Sequence, residues 1–303
     1  MKKSYLPLLG ILVCTLIWGS TWLAIKIGLE TLPPFLFAGM RFTIATILLY
    51  GFMRIRGIPF PKDRTAWKVM LVLGFFQMLD YALVFWGEQY IHSAMAAILF
   101  ATMPFFVILC GYVMLDEHRT TWLKVLGIII SFAGVVIIFM RDIGSAQDSW
   151  MGDVAIILAA LFGAIFSVYA KKHANDIDAV ANTTVQMAFI AVFLSAIGLV
   201  TENVSELHFT AKGIGTIFYL GTLGSAVAFA VYMWVIKRVS VIEASIIPVA
   251  TPVVAVSLGW LILDERLTLD SLWGGCMILI GVYLVNILRE EQLPWYKAAR
   301  TAL

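Results

Sequence analysis

The polar residues that could do chemistry in this sequence lie in stretches that are otherwise apolar. Gln77, Asp80, Tyr81 and Glu88 follow one another at helical spacing, so they form a stripe along one face of one helix. Asp80 has the clearest chemistry, because a carboxylate in apolar surroundings needs a partner or water. Two interpretations stay open for it: contact with a substrate amine or a coupling proton, or a fixed structural hydrogen bond or ion pair.

A second stripe with the same spacing contains Thr15, Trp18, Trp22 and Lys26. Trp18 lies too deep in its apolar stretch to belong to an aromatic belt at a membrane surface. Polar and aromatic groups gathered on one face should turn away from an apolar solvent, towards each other or towards water. The predicted substrate-binding or cavity residues are therefore Asp80, Gln77, Tyr81, Trp18, Trp22, Thr15, Tyr232 and Ser225.

Other charged residues invite structural interpretations as well as functional ones. Lys26 and Glu88 both fall near the outer ends of their stretches, where they could pair, steer charged solutes, or simply be solvated helix ends. For Arg41, contact with a substrate and a structural tie between helices both stay open. Among the four histidines and three cysteines there is no HExxH pattern, no Ser/His/Asp grouping and no metal-binding spacing. We therefore predict no catalytic residues, no metal and no cofactor.

The composition identifies the solvent around these residues. Of 303 residues, 61% are hydrophobic and 13% charged, and the mean hydropathy is +0.94. A soluble domain carries about 25% charged residues, so this apolar excess cannot be hidden from water. The net charge of +2 gives no reason to expect a nucleic-acid partner. The sequence predicts an all-α integral membrane protein.

Apolar stretches long enough to cross a bilayer recur ten times. Most Lys and Arg residues fall in segments on the same side as the N-terminus, sixteen of 21 against four on the other side and Arg41 within a span. This bias predicts a plasma-membrane protein with both termini in the cytoplasm. The predicted spans are 6–26, 34–53, 67–87, 93–115, 122–140, 152–171, 180–200, 213–236, 241–263 and 270–288, followed by a cytoplasmic tail at 289–303.

The two halves of the chain, 6–140 and 152–288, repeat each other. Ala101-Thr-Met-Pro104 recurs as Val249-Ala-Thr-Pro252, and Leu115-Asp-Glu117 recurs as Leu263-Asp-Glu265, both at an offset of 148 residues. Because five spans are an odd number, the second half must be inserted upside down. Ten transmembrane helices in two inverted five-helix repeats are the result, an organisation typical of secondary transporters.

Pro104 and Pro252 occupy matching places near the middle of their spans. Each proline removes one helical N–H and frees the carbonyl four residues earlier, at Phe100 and Pro248. Interrupted helices in corresponding positions point to a transport site, so both prolines are predicted hinge or cavity-wall residues. The alternative is a packing kink, which membrane helices tolerate.

From about residue 8 to 288 the sequence resembles the EamA-type permeases of the drug/metabolite transporter superfamily. The residues that carry the resemblance are Ile17-Trp-Gly-Ser20, Arg41, Pro104, Gly152-Asp153, Pro252 and Leu263-Asp-Glu-Arg266. The resemblance implies ten helices in two inverted repeats and a central cavity lined mainly by spans 1, 3, 4, 6, 8 and 9. It also implies a carrier of amino acids, metabolites or drug-like compounds, often outward.

The function predicted from sequence is thus secondary transport, by alternating access, of small metabolites such as amino acids or related amphipathic compounds. Export is favoured by the resemblance alone. The partners expected are a small solute, the lipid bilayer and, as an open possibility, protons. The alternatives are an intramembrane enzyme, which would need a second acid or a histidine at the depth of Asp80, and a membrane sensor, which would need an output domain.

Overall fold

A computed structural model describes residues 6–114, 122–142, 149–239, 244 and 246–286. Those residues are helical or in short connections, and none of them is in a β-strand. Two helical segments depart from α geometry, a single 3₁₀ turn at Val204–Glu206 and a π-helix at Leu220–Val227. The helices are α1 Leu6–Leu29, α2 Pro34–Arg56, α3 Arg64–Gly87, α4 Ser93–Phe100, α5 Met103–Met114, α6 Trp122–Asp142, α7 Ser149–His173, α8 Ala179–Thr201, α9 Ala211–Tyr219, α10 Ala228–Ile236, α11 Ile246–Leu263 and α12 Leu269–Asn286.

The chain is a multi-pass membrane protein. Within the described residues, seven helical segments are long and apolar enough to cross a membrane, counting α4 with α5 and α9 with α10 as one segment each. Three further apolar helices are shorter, Ile129–Ile138, Ile247–Leu263 and Leu269–Leu284. Leu, Ile, Val and Phe side chains stand exposed along the outside of the bundle, as lipid contact requires.

Two predicted spans are not continuous α-helices. The span predicted at 93–115 is divided into α4 and α5 at Ala101 and Thr102, and Pro104 lies in the first turn of α5. Proline fits there because the first N–H groups of a helix have no intrahelical acceptor. In contrast, Pro252 lies inside α11, which continues through it. The span predicted at 213–236 contains the π-helix, a form that occurs frequently at functional sites.

The helices pack in two neighbourhoods around the centre of the molecule. Helix α1 packs on α10 and α11, whereas α3 packs on α7 and α8. Towards the outside, α2 packs on α8 and α6 on α12. Helix α4 contacts both α1 and α7 and so connects the two neighbourhoods.

The contact between α6 and α12 is very close and is made without side chains at its nearest points. A Cβ added to Gly134 would lie 2.5 Å from the carbonyl oxygen of Gly274, and one on Gly274 would lie 2.7 Å from that of Gly134. Next to this crossing the Ser131 hydroxyl donates to the Ile278 carbonyl at 2.9 Å. Small residues at such crossings let helix backbones approach where lipid offers no hydrophobic driving force.

Carboxylates from distant loops fix the beginnings of two helices. Glu202 accepts hydrogen bonds from the Phe35 and Leu36 amides at 2.6 and 2.9 Å, at the first turn of α2. Glu265 accepts from the Ser93 amide and hydroxyl at 3.0 and 2.9 Å, at the first turn of α4. An acidic group at a helix N-terminus satisfies free N–H groups and complements the helix dipole.

Candidate functional site

A central cavity of about 80 Å³ lies where the inner helices meet. Its lining comes from α1, α3, the α4–α5 break, α7, α10 and α11, so both halves of the sequence contribute. The lining residues are Trp18, Thr21, Trp22, Ile25, Gln77, Asp80, Tyr81, Val84, Phe100, Met103, Gly163, Phe166, Ser167, Phe229, Tyr232, Pro248 and Thr251.

Three residues of the α3 stripe, Gln77, Asp80 and Tyr81, face this cavity. Gln77 is 1% exposed, and within the described part of the chain neither its amide nitrogen nor its amide oxygen has a hydrogen-bond partner. The same holds for Oδ1 of Asp80. The other oxygen of Asp80 lies against Gly163 of α7, where an added Cβ would be only 3.3 Å away. Buried polar groups left without partners are costly, so these three atoms are groups that a bound solute or water would satisfy.

Aromatic rings form much of the remaining wall. The ring centroid of Trp18 lies 4.9 Å from that of Phe229 and 5.1 Å from that of Tyr232. Tyr81 approaches Phe229 at 6.0 Å. Tilted and edge-on contacts at these separations are the favoured geometries of aromatic pairs. The cavity therefore sets one carboxylate and one amide on α3 against an aromatic wall from α1 and α10.

Hydrogen bonds hold the aromatic wall in place. The indole nitrogen of Trp18 donates to the Gly224 carbonyl at 3.1 Å, within the π-helix. The hydroxyls of Tyr232 and Ser167 lie 3.0 Å apart and share a hydrogen bond between α10 and α7. These rings are thus oriented before any solute binds, which lowers the entropic cost of binding.

Arg41 lies outside the lining, behind Tyr81. Its side chain is 1% exposed, and its guanidinium donates to the Ser225 hydroxyl through Nε at 3.0 Å and Nη2 at 2.9 Å. The guanidinium carbon also lies 5.0 Å from the ring centroid of Tyr81 and 5.5 Å from that of Phe85. These contacts connect α2 to α3 and to the π-helix, as a structural tie would.

The predicted cavity residues divide into two groups. Six of the eight lie in the lining: Asp80, Gln77, Tyr81, Trp18, Trp22 and Tyr232. The other two lie elsewhere, since the Thr15 hydroxyl donates to the Ile11 carbonyl of its own helix and Ser225 accepts from Arg41. Pro104 and Pro252 are also absent from the lining, but Phe100 and Pro248, four residues before them, are part of it.

Lys26 and Glu88 lie next to one another at one end of the cavity. The ammonium group of Lys26 donates to the backbone carbonyls of Glu88 at 2.8 Å and Ile91 at 2.7 Å. The Glu88 side chain is 0% exposed, and among the described residues its carboxylate oxygens have no hydrogen-bond partner. The lysine is therefore a link between α1 and the end of α3.

Several lining residues were not anticipated from sequence. Gly163, Phe166 and Ser167 lie on α7, whose sequence around them is apolar and carries no periodic polar signal. A comparison of the first helices of the two halves would have found Gly163 and Phe166, which match Gly19 and Trp22, but not Ser167, which falls opposite Leu23. Within the residues that the structure describes, no group of three or more His, Cys, Asp or Glu side chains is placed to hold a metal ion.

Comparison with known proteins gives two matches to one family within this chain. The EamA-like transporter family matches at residues 6–140 and again at 150–287. YedA of Escherichia coli K12, named an uncharacterized inner membrane transporter, is 31% identical over 287 residues, which cover 94% of this chain and 92% of YedA. YoaV of Bacillus subtilis, named an uncharacterized transporter, is 28% identical over 279 residues, covering 91% and 95%.

A solved structure shares the fold. The match has a TM-score of 0.69 at 19% identity and covers 95% of this chain and all of the other. Its title reads only "Crystal structure of protein", so the likeness concerns the helical architecture and not a substrate.

Proposed function

Since this chain belongs to the EamA-like transporter family, we propose that it is a secondary transporter that moves small amphipathic metabolites, such as amino acids or related compounds, through the central cavity. The relatives' names indicate a membrane transporter rather than an enzyme. The observation that carries the proposal is the cavity itself, in which unpartnered polar atoms of Asp80 and Gln77 face aromatic rings contributed by both halves of the chain.

The contacts between helices support two inverted five-helix repeats and ten spans. Ser131 and Ile278 stand at an offset of 147 residues, and they contact each other. Gly134 corresponds to Gly281, and Gly127 to Gly274, and the close approaches are Gly134 with Gly274 and Gly281 with Gly127. Reciprocal contacts of this kind are what a two-fold axis produces, as in an isologous interface. We propose that the axis lies in the membrane plane and relates the units 6–140 and 152–288.

The cavity favours a solute with a polar head and an apolar body. Asp80 would accept from an amine, Gln77 could donate or accept beside it, and the Trp18, Phe229 and Tyr232 rings would cover the apolar part. A polar head against α3 and an apolar body against the rings of α1 and α10 would use both walls of the cavity. Proton coupling would act through the same carboxylate, since Asp80 would bind either a proton or the amine of the solute.

We further propose that both termini face the cytoplasm, since the Lys and Arg bias of the connecting segments requires it. Alternating access would then proceed by rocking of the α1 neighbourhood against the α3 neighbourhood. Export is the direction we assign by analogy with the family.

Counterflow in proteoliposomes tests the proposal. Purified protein is reconstituted with an internal panel of amino acids and related amphipathic amines, with and without a pH gradient, and uptake of the labelled compound is measured. We expect Asp80→Asn to abolish counterflow of the responding amine while inserting normally. The matched control is Asp176→Asn, an exposed residue after α7. Full transport by Asp80→Asn across the pH range would exclude the proposed role of this carboxylate.

A further inference from the structure

Two lysines make the same pair of contacts in the two halves of the molecule. Lys26 donates to the carbonyls of Glu88 and Ile91, at 2.8 and 2.7 Å. Lys171 donates to the carbonyls of Ile236 and Val239, at 2.8 and 2.9 Å. In each half, a lysine near the C-terminal end of the first transmembrane helix donates hydrogen bonds to backbone carbonyls at and just after the C-terminal end of the third.

The acceptors correspond residue by residue under the sequence repeat. Ile236 stands 148 residues after Glu88, and Val239 stands 148 residues after Ile91, the same offset that relates the two prolines. The donors stand 145 residues apart, at equivalent ends of α1 and α7. A backbone carbonyl does not depend on side-chain identity, so the contact is repeated although Glu88 is replaced by isoleucine.

The two lysine contacts lie at opposite ends of the bundle. The end of α3 meets the beginning of α7, where a Cβ added to Gly152 would lie 2.7 Å from the Gly87 carbonyl. Lys26 binds the backbone next to this point. From Gly152, helix α7 runs for about five turns to Lys171, roughly 28 Å at 1.5 Å per residue. That distance is about the thickness of the hydrocarbon core.

Each lysine joins helices that stand on different sides of the cavity. Helices α1 and α3 both line it but pack in different neighbourhoods, α1 on α10 and α11, α3 on α7 and α8. Helices α7 and α10 likewise both line it. Helix α7 packs on α3, whereas α10 packs mainly on α1 and to a smaller extent on α8. The carbonyls at a helix C-terminus lack intrahelical donors and carry the negative end of the helix dipole, so an ammonium group binds them well.

We propose that Lys26 and Lys171 are the two gate latches of the transport cycle, one closing each mouth of the cavity. This inference rests on the proposed function, because a latch at each end has a purpose only if the ends open in turn. Opening towards the side of Lys26 breaks its contacts with the end of α3 while Lys171 remains bound. Opening towards the other side breaks the contacts of Lys171 while Lys26 remains bound.

The latches differ in one respect that the test can use. At the Lys26 end the acceptor residue carries a buried carboxylate, whereas at the Lys171 end the corresponding residue is Ile236. Removing Lys26 leaves the Glu88 carboxylate without its nearby cation. The double variant Lys26→Met/Glu88→Gln removes the latch without leaving a lone charge, so a folding defect in Lys26→Met does not decide the outcome.

The experiment measures access to the cavity from each side. Cys14, Cys110 and Cys276 are replaced by serine and a single cysteine is placed in the lining by Thr251→Cys. The full chain is studied in oriented membrane vesicles with a membrane-impermeant maleimide added to one side or the other. Lys212→Met and Lys68→Met, at exposed lysines, are the control variants.

We expect Lys26→Met, or its double variant, to raise labelling from the Lys26 side about fivefold and to lower it from the other side. Lys171→Met should do the reverse, and the control variants should change neither rate. Equal changes on both sides, or none in folded protein, would overturn the latch proposal. If the single-cysteine chain with both lysines in place is labelled from one side only, even with transported solute present, the proposal of alternating access is refuted. Labelling from both sides that the lysine substitutions do not change would refute the latch proposal and leave alternating access standing.

Discussion

Replacing Ser225 by alanine is expected to destabilise the protein through Arg41. Ser225 is 0% exposed, and its hydroxyl accepts both hydrogen bonds that the structure gives the Arg41 guanidinium, at 3.0 and 2.9 Å. Nη1 of Arg41 has no hydrogen-bond partner among the described residues. The variant would therefore remove the acceptor that these two hydrogen bonds share and leave the buried cation beside Tyr81 and the neighbouring rings.

The cost follows from the nature of these bonds. A hydrogen bond to a charged group contributes about 1.5–3 kcal/mol, and the two bonds share one acceptor, so we expect a loss of about 3 kcal/mol of unfolding free energy. The rings of Phe42, Tyr81 and Phe85, with centroids 4.8–5.5 Å from the guanidinium carbon, remain and limit the loss.

Equilibrium unfolding in mixed detergent and SDS micelles, followed by tryptophan fluorescence, measures this loss. Ser257→Ala is the matched control, because the Ser257 hydroxyl is exposed and bonds only its own helix, to Val253 at 2.7 Å. We expect a change of about 0.5 kcal/mol or less there. A double-mutant cycle with Arg41→Met should return a coupling of about 1.5 kcal/mol or more. A Ser225→Ala effect no larger than the control, or a cycle without coupling, would refute the reasoning.

Two further outcomes follow from contacts described above, both measured by the same unfolding experiment. Gly134→Ala should cost about 1–3 kcal/mol of unfolding free energy, since the new methyl group would press on the Gly274 carbonyl. Gly51→Ala is the control and should be close to neutral, because nothing lies within 4 Å of the added Cβ. Equal effects would contradict the close helix crossing. Glu265→Ala should cost about 1–2 kcal/mol of unfolding free energy, because the first turn of α4 loses its acceptor. Glu206→Ala, at an exposed residue, is the control and should leave the unfolding free energy nearly unchanged. No difference between the two variants would show that the cap is dispensable.

The cavity wall on α3 could be anticipated because helical spacing is a local property. Gln77, Asp80 and Tyr81 share one face of any helix that contains them, and polar groups in an apolar stretch have to turn from lipid. All three do line the cavity. The positions four residues before the two prolines, Phe100 and Pro248, line it as well, although the prolines do not.

Ser225 and Thr15 show where spacing alone was insufficient. Both were predicted to be cavity residues. Ser225 is instead turned towards Arg41 of α2, and Thr15 is satisfied within its own helix. Which of these outcomes occurs depends on the neighbouring helix and on the π-helix at Leu220–Val227, and no local pattern in the sequence encodes either.

The contacts of Lys26 and Lys171 likewise could not be predicted from residue spacing. The sequence predicted that Lys26 and Glu88 could pair near the outer ends of their helices, and it assigned Lys171 no role beyond the charge bias. It could not show that both bind backbone carbonyls, because such acceptors exist at every helix end and only tertiary packing brings a particular end within reach.

The sequence by itself determined that this chain resides in a membrane, repeats itself at an offset of 147–148 residues, and gathers its deep polar groups on α1 and α3. These are consequences of composition and periodicity, which act residue by residue. Only the tertiary structure decided which polar groups meet solute space, which satisfy one another and which helix ends are joined across the cavity. Such pairings depend on distances between segments far apart in the chain, and those distances exist only once the helices have packed.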